Sequence, residues 1–214
     1  MERPILFNAQ MVNALLDGRK TQTRRIMKPQ PSYDFGWYPG CGDDGKSLYY
    51  FTEKHFKNVV RDFTPHGKTG DRLWVRETFR IFDSSDECGC SESPCNCPAN
   101  GSPLYRANAD CSENKWKPSI HMPRWASRIL LEVVDVRVER LNEISEEDAM
   151  AEGWPKQHGD FDSPAPGNGG VFDWYRDLWE KINGEGSWDK NPWVWVIEFK
   201  VIKGLSDGPK INAT

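Results

Sequence analysis

The sequence lacks the features that would place the protein in a membrane or export it. Its 214 residues contain no run approaching the roughly 18 apolar residues that a membrane helix needs. The first residues, Met1 to Pro4, have neither the basic start nor the apolar stretch of a secretory signal. We therefore expect a cytoplasmic protein with no membrane partner.

The sequence also lacks an excess of positive charge. It has 28 Lys and Arg residues against 32 Asp and Glu residues, which gives a net charge of -4. This balance excludes the generally basic surface of many nucleic-acid-binding proteins, so any basic surface has to be a local patch.

The sequence is strongly polar overall, with a mean hydropathy of -0.72. Ten Trp, ten Phe and six Tyr nevertheless concentrate the apolar material in large rings, which argues against disorder. We expect a single domain over residues 1–202, interrupted by polar insertions at about 29–68 and 83–118 and a loop at 155–170, and followed by a flexible tail at 203–214.

Apolar spacing predicts three helices. One lies between Asn8, a good N-cap, and Gly18. A short helix follows the capping-box pattern at Ser145 and should end at Gly153. The clearest amphipathic pattern spans Val171 to Ile182.

Strands are predicted at 19–26, 72–77, 129–139 and 193–202, with a hairpin around 48–52. In 129–139 the apolar positions change parity after Val133, which indicates a β-bulge. Because bulges bend strands, this pattern favours a small barrel over a flat sheet. The fold class is therefore expected to be α+β, with the last strand inside the sheet.

The segment from Arg19 to Lys28 holds five basic residues and no acid. Such a patch can neutralise phosphates or carboxylates. It can equally be the solvated edge of a sheet, where charge discourages unwanted strand pairing. Composition alone leaves both interpretations open.

Four segments together resemble the ASCH domain: Gly18 to Arg25, Gly70 to Val75, Ile144 to Ala149 and Val196 to Phe199. The sequence is similar to the long form of this family found in phages and prophages, which also carries a stretch like Trp116 to Arg128. The resemblance implies a PUA-like small β-barrel with flanking helices and long polar insertions, and an association with RNA.

One branch of the family hydrolyses N(4)-acetylcytidine to cytidine and acetate with a Lys, a Thr three residues later and a distant Glu. The matching positions are Lys20, Thr23 and Glu152, and Arg25 matches a further basic residue. The resemblance thus implies an amidohydrolase, although those enzymes are about half as long and the insertions could reshape the pocket.

The chemistry of these three residues leaves two assignments open. Lys20 could be the base for a Thr23 nucleophile, if its pKa fell by roughly 3 units. Alternatively, Glu152 takes the proton and a charged Lys20 stabilises the oxyanion. In either case Lys20 should lie at the corner between helix and strand, because positions i and i+3 share a side in a turn. The structural alternative is an ordinary strand Thr, an edge Lys and a helix-end Glu.

A cysteine cluster favours a structural zinc site formed by Cys88, Cys90, Cys95 and Cys97, with Cys111 as a substitute. The polar stretch around them cannot order itself by burial, and four thiolates suit tetrahedral zinc. The one-residue gap within each pair is unusual for zinc, so free thiols remain the alternative. A site with four thiolates would leave no position for a catalytic water.

The segment from Lys115 to Arg128 alternates basic residues with Trp116 and Trp125, a pattern suited to phosphate contacts and base stacking. A Trp-anchored surface loop is the alternative. We expect the two basic segments to line a cleft for RNA or a modified nucleoside, contacted by Arg19, Arg24, Arg25, Arg124, Trp125 and Arg128. A non-enzymatic RNA-binding module is the alternative function, and a nuclease is a weaker one because paired His residues and clustered carboxylates are lacking.

Overall fold

The computed structural model describes residues 1–30, 37–39, 48–50, 64–88, 97–108, 115–155 and 170–203. The strands are β1 (Glu2–Leu6), β2 (Gln22–Ile26), β3 (Trp37–Pro39), β4 (Leu48–Tyr50), β5 (Arg72–Arg76), β6 (Phe79–Ile81), β7 (Pro103–Tyr105), β8 (Leu130–Arg140) and β9 (Trp193–Lys203). The α-helices are α1 (Ala9–Leu16), α2 (Ser84–Glu87), α3 (Glu146–Ala151) and α4 (Gly170–Asn183). Short 3-10 turns lie at Arg106–Asn108, Ser119–His121, Arg124–Ala126 and Leu141–Glu143.

A five-stranded sheet in the order β1-β5-β8-β9-β2 forms the centre of the fold. β1 runs parallel to β5, and the other neighbours are antiparallel. Two small hairpins, β3-β4 and β6-β7, accompany it. The expected α+β class and the internal position of the last strand are confirmed.

The first part of β9, from Trp193 to Ile197, is buried on both faces, which explains its continuous apolar sequence there. Trp195 and Ile197 belong to the core cluster that includes Val12 and Leu15 of α1. Val194 and Val196 face the opposite cluster, which is formed with α4 and α3. The sheet is thus covered by α1 on one side and by α4 on the other.

The predicted helices are confirmed with small shifts of their ends. The Asn8 side chain accepts a hydrogen bond from the backbone N–H of Met11 at 2.8 Å, and this caps α1. The Ser145 hydroxyl accepts from the backbone N–H of Asp148 at 3.1 Å, and this caps α3. None of the described helices is long and apolar enough to cross a membrane.

The predicted bulge in β8 is confirmed. The register against β9 shifts between Val133 and Asp135, where Val134 turns outward and is 46% exposed. Val133 and Val136 on either side of the shift are both buried, so the bulge lets the strand keep its apolar residues in the core.

The two edges of the sheet approach each other at one point. The Arg25 guanidinium of β2 donates to the backbone carbonyl of Leu6, at the end of β1, over 2.6 Å. Among the described strands no backbone ladder joins β1 to β2, so this side-chain hydrogen bond spans the gap between them.

β1 was not predicted from the sequence. Pro4 lies in its middle, and proline cannot donate to a ladder, so such a strand is tolerated only at an edge. The position of β1 beside β5 alone agrees with this constraint.

Gly153, just after α3, offers a test of the packing between α1 and the site. Its φ is +109°, and an added Cβ would lie 2.8 Å from the Cβ of Ala14. We expect Gly153→Ala to lower the unfolding free energy by about 2–4 kcal/mol, from backbone strain and overpacking together, measured by urea denaturation.

Gly184→Ala is the matched control. Its φ is +97°, but an added Cβ would meet no atom within 4 Å. We expect a loss of only about 1 kcal/mol there, from strain alone. Equal losses in the two variants would contradict the close approach of Ala14.

Candidate functional site

The centre of the site is a buried ion pair between Lys20 and Glu152. The Lys20 ammonium donates to Glu152 Oε2 at 2.8 Å and to the backbone carbonyl of Glu152 at 2.9 Å. Lys20 is 1% exposed and Glu152 is 3% exposed. The pair therefore has almost no access to solvent, and each charge depends on the other.

The backbone brings these two residues together across 132 positions of sequence. Lys20 lies between α1 and β2, at the corner that the sequence predicted, and it forms an isolated backbone bridge with Glu152. Next to it, the N–H of Thr21 donates to the carbonyl of Ala151 at 2.9 Å. The end of α3 is thus fixed against the start of β2.

Arg24 provides a second cation for Glu152. Its Nη1 lies 3.3 Å from Glu152 Oε1, and its Nη2 donates to Asp148 at 2.7 Å and Glu139 at 3.2 Å. Arg137 donates to the same Asp148 oxygen at 2.7 Å. Arg24 was predicted to contact substrate or nucleic acid, and the structure places its guanidinium inside this network of three carboxylates.

Burial sets the proton affinities of the groups around the pair. Desolvation lowers the pKa of Lys20, against the opposing effect of Glu152, and the nearby Arg25 and Arg24 lower it further. Desolvation raises the pKa of Tyr175 well above its usual value, and its interaction with Glu152 adds to this increase. The Tyr175 hydroxyl therefore stays protonated at neutral pH.

Thr23 lies three residues after Lys20, in β2, where it pairs with Ile197 of β9. It is 1% exposed. Together with Glu152 and Tyr175 it lines a small cavity of about 50 Å³. Thr23 thus shares a cavity wall with Glu152, and Glu152 in turn pairs with Lys20.

A larger cavity of about 270 Å³ lies on the other side of Glu152. It is formed mainly by α1, the end of α3 and α4. Its lining residues are Gln10, Met11, Asn13, Ala14, Arg19, Glu152, Gly153, Pro155, Trp174 and Leu178. Met11, Glu152 and Leu178 line both cavities, so the two spaces are adjacent.

Arg19 and Arg25 border different cavities of this site. Arg19 donates to Asp17 and to the backbone carbonyls of Gly153 and Trp154, and so it borders the larger cavity. Arg25 lines the smaller cavity, and its guanidinium lies 5.5 Å from the ring centroid of Phe7. Phe7 also lies 5.6 Å from the Lys20 ammonium, which gives Lys20 an aromatic neighbour.

Among the described residues, Arg124, Trp125 and Arg128 line neither of these two cavities, so they lie apart from Lys20 and Glu152. Arg128 is 7% exposed and forms a two-pronged ion pair with Glu77 at 2.9 and 3.0 Å. Its guanidinium also stacks 4.0 Å from the ring centroid of Tyr105. In this position Arg128 holds the core together and does not face a nucleic acid.

The cysteine prediction falls mostly outside the described residues. Cys88 and Cys97 are described and partly buried. Cys90, Cys95 and Cys111 lie outside the described part of the chain. No group of three potential metal ligands occurs among the described residues, and the zinc site stays a prediction.

His66 is a residue near the site that the sequence did not indicate. It follows the described turn at Thr64, whose hydroxyl accepts from the His66 backbone N–H at 3.1 Å. Burial, together with the nearby Arg25 and Arg3, lowers the pKa of His66 to about 4. His66 is therefore neutral at physiological pH.

Comparison with known proteins gives one distant structural match. No protein-family profile and no curated protein matches the sequence. A crystal structure of an Enterococcus faecalis V583 protein, described as DUF984, aligns with a TM-score of 0.40 and 11% sequence identity. The alignment covers 98% of this chain and 87% of the other.

The ion pair predicts a large effect of removing one partner. Glu152→Gln leaves Lys20 and Arg24 without their shared carboxylate, so we expect the unfolding free energy at pH 7 to fall by about 3–5 kcal/mol. Adding Lys20→Met should recover part of this loss, because the uncompensated charge is then gone. Urea denaturation of the single and double variants measures the coupling.

The control is Glu146→Gln, an exposed acid in the first turn of α3. It should cost less than about 1 kcal/mol, which is the usual value of an acid near a helix N-terminus. Additive losses in the two single variants and the double variant would contradict a coupled pair.

His66 predicts a pH dependence of stability. Its pKa is about 4 in the folded protein against an ordinary value of 6.5, so the unfolded chain binds the proton more readily. Stability should therefore fall as the pH decreases from 6.5 towards 4, by on the order of 2–3 kcal/mol. His66→Gln should remove this part of the pH dependence, whereas His121→Gln, at an exposed position, should not.

Proposed function

We propose that the protein hydrolyses the acyl amide of an acylated cytosine, with N(4)-acetylcytidine giving cytidine and acetate, in the cavities beside Lys20 and Glu152. The observation that carries the proposal is the buried ion pair at the wall shared by both cavities. The resemblance of Lys20, Thr23 and Glu152 to the amidohydrolase branch of the ASCH family supports it.

Burying these charges needs a reason other than stability. A buried ion pair often contributes no more to stability than apolar residues of the same size would. Buried titratable groups beside a cavity are instead typical of active sites, where burial adjusts the pKa of the acid or base. The fully enclosed Lys20 and the nearly enclosed Glu152 fit this description.

The larger cavity supports a substrate of nucleoside size. Its volume of about 270 Å³ lies just below the roughly 300–1,000 Å³ usual for small-molecule sites. Trp174 provides an aromatic wall, and Gln10 and Asn13 provide amide groups that can both donate and accept. A flat heterocycle with polar edges matches this lining.

In the proposed reaction, Thr23 Oγ attacks the acetyl carbonyl carbon and its proton passes to Glu152. The tetrahedral oxyanion is stabilised by Arg25, a cation that lines the smaller cavity. Collapse breaks the C–N bond, and the cytosine amino group takes the proton back from Glu152. Water then attacks the acetyl ester of Thr23 while Glu152 takes its proton, and Glu152 returns that proton to Thr23 Oγ as the C–O bond breaks and acetate leaves.

Glu152 is favoured over Lys20 as the group that takes the proton. Glu152 lines both cavities, whereas the Lys20 side chain is 0% exposed and lies behind the carboxylate. Lys20 then acts as a positioning residue that holds the carboxylate towards the cavity. Its lowered pKa keeps the direct-base alternative open to test.

The proposed fold is the PUA-like barrel of the ASCH family. The bulge in β8 and the hydrogen bond from Arg25 to Leu6, which spans the two sheet edges, support a strongly curled sheet.

The activity test uses N(4)-acetylcytidine and follows cytidine release by chromatography. We expect turnover by the wild-type protein and a loss of at least about 100-fold in Glu152→Gln and in Thr23→Val, since each removes a group that acts in the transition state. Thr23→Ser should retain part of the activity, because it keeps the hydroxyl. Glu146→Gln should keep full activity.

Lys20→Met separates the two assignments of the base. If Lys20 only positions Glu152, the variant should show a reduced rate with the pH profile of the wild type. A shift of the profile in Lys20→Met would assign the base to Lys20. Absence of cytidine release by the wild-type protein would reject the hydrolase and favour the non-enzymatic binding module.

A further inference from the structure

A second distinctive surface lies away from both cavities. It is built by the segment 115–126, which lies against β5 and β6. Lys117 exchanges two backbone hydrogen bonds with Phe79 at 2.8 and 3.2 Å, and the Arg76 guanidinium donates to the carbonyl of Ile120. Two short 3-10 turns then carry the chain to Ala126. We call this surface the basic-aromatic surface. It consists of segment 115–126 together with Trp74, Arg76, Arg80 and Arg106.

Two tryptophans in this surface are each contacted by two arginines. Trp74 has Arg76 and Arg124 over its ring, with guanidinium carbons 5.4 and 5.8 Å from the centroid. Trp116 has Arg80 and Arg106 over its ring at 5.5 and 5.6 Å. The rings hold the guanidinium groups in fixed positions, so their charges are presented with little loss of side-chain freedom on binding.

The positive charge of this surface is only partly neutralised. Arg124 pairs with Glu2 at 3.0 Å. Within the described ranges, Arg76, Arg106, Lys115 and Lys117 form no ion pair with a carboxylate. In a chain with a net charge of -4, this is a local concentration of positive charge that suits a polyanion.

Two large apolar side chains project from the same surface. Trp125 is 65% exposed and Ile120 is 56% exposed, although Met122 and Ala126 beside them are buried. The buried neighbours anchor the turns, and the indole of Trp125 is left facing solvent. An anchored, exposed indole that follows Arg124 in the chain is the kind of side chain on which a nucleic-acid base stacks.

We infer that the basic-aromatic surface binds single-stranded nucleic acid, with phosphates on Arg76, Arg106 and Lys117 and a base stacked on Trp125. A single strand is favoured over a duplex because only unpaired bases can present a face to the indole. This function goes beyond the hydrolysis proposed above, and no residue of the surface lines either cavity.

The test measures fluorescence anisotropy of labelled 12-nucleotide RNA and DNA single strands of mixed sequence, titrated with the intact protein at several salt concentrations. We expect Trp125→Ala to weaken binding by roughly 5- to 100-fold, since stacking on one base accounts for a change of this size. Trp125→Phe should keep most of the affinity. Lys117→Ala should reduce the slope of log K against log salt by roughly 0.7–1.

Matched controls lie on α4. Phe172→Ala removes a ring that is 44% exposed, and Lys181→Ala removes an exposed charge. Both should leave binding unchanged. Circular dichroism checks the fold of each variant, which should be intact because the substituted side chains are exposed.

Unchanged affinity in Trp125→Ala, or tighter binding to an acidic peptide than to either oligonucleotide, would overturn the inference. Self-association of the chain through Trp125, detected by sedimentation, would also overturn it. The oligonucleotides carry no acetyl group and need no turnover, so this result is separate from the activity assay.

Discussion

The buried contact between Lys20 and Glu152 is the interaction on which the arrangement of this protein depends. It joins the corner between α1 and β2 to the end of α3, where the backbone hydrogen bond from Thr21 to Ala151 reinforces the contact. Because an isolated charge cannot remain buried, each residue requires the other, and the carboxylates around Arg24 continue the same requirement outward. The glycine that follows Glu152 gives the backbone room to approach α1 closely enough for the contact.

The two proposed sites differ in shape. The cavities lie between α1, β2, α3 and α4, are small and are bordered by a buried carboxylate. The basic-aromatic surface is open and extended, and its features suit a polymer better than a small molecule. The five-stranded sheet lies between α1 and α4 and also supports the open surface through β5, so one rigid element positions both.

Much of the fold could be predicted because many of its elements depend only on the spacing of residues that are close together in the sequence. The capping of α1, the apolar stripe of α4 and the change of parity in β8 each depend on neighbours within a few residues. β1 could not be predicted, since its five residues include a proline and only pairing with β5 makes them a strand. Lys20 and Glu152 were indicated by resemblance to a family. The roles of Asp148 and Glu139 were not indicated by the sequence. Only the folded arrangement of β2, β8 and α3 places these two carboxylates beside Arg24.

For the same reason, the burial of Arg128 could not be predicted from the sequence, in which it stands among residues expected to contact nucleic acid. Its partner Glu77 is 51 residues away, and no local pattern connects them.

The loop between α3 and α4 begins at the rim of the larger cavity. Pro155 lines that cavity, and the chain returns at Gly170 to start α4, whose Trp174 forms another part of the wall. Because both residues belong to the wall, a substitution of Pro155 or Trp174 reshapes the larger cavity without touching the sheet or the contact between Lys20 and Glu152. The space that a bound molecule would occupy can therefore change independently of the charges that border it.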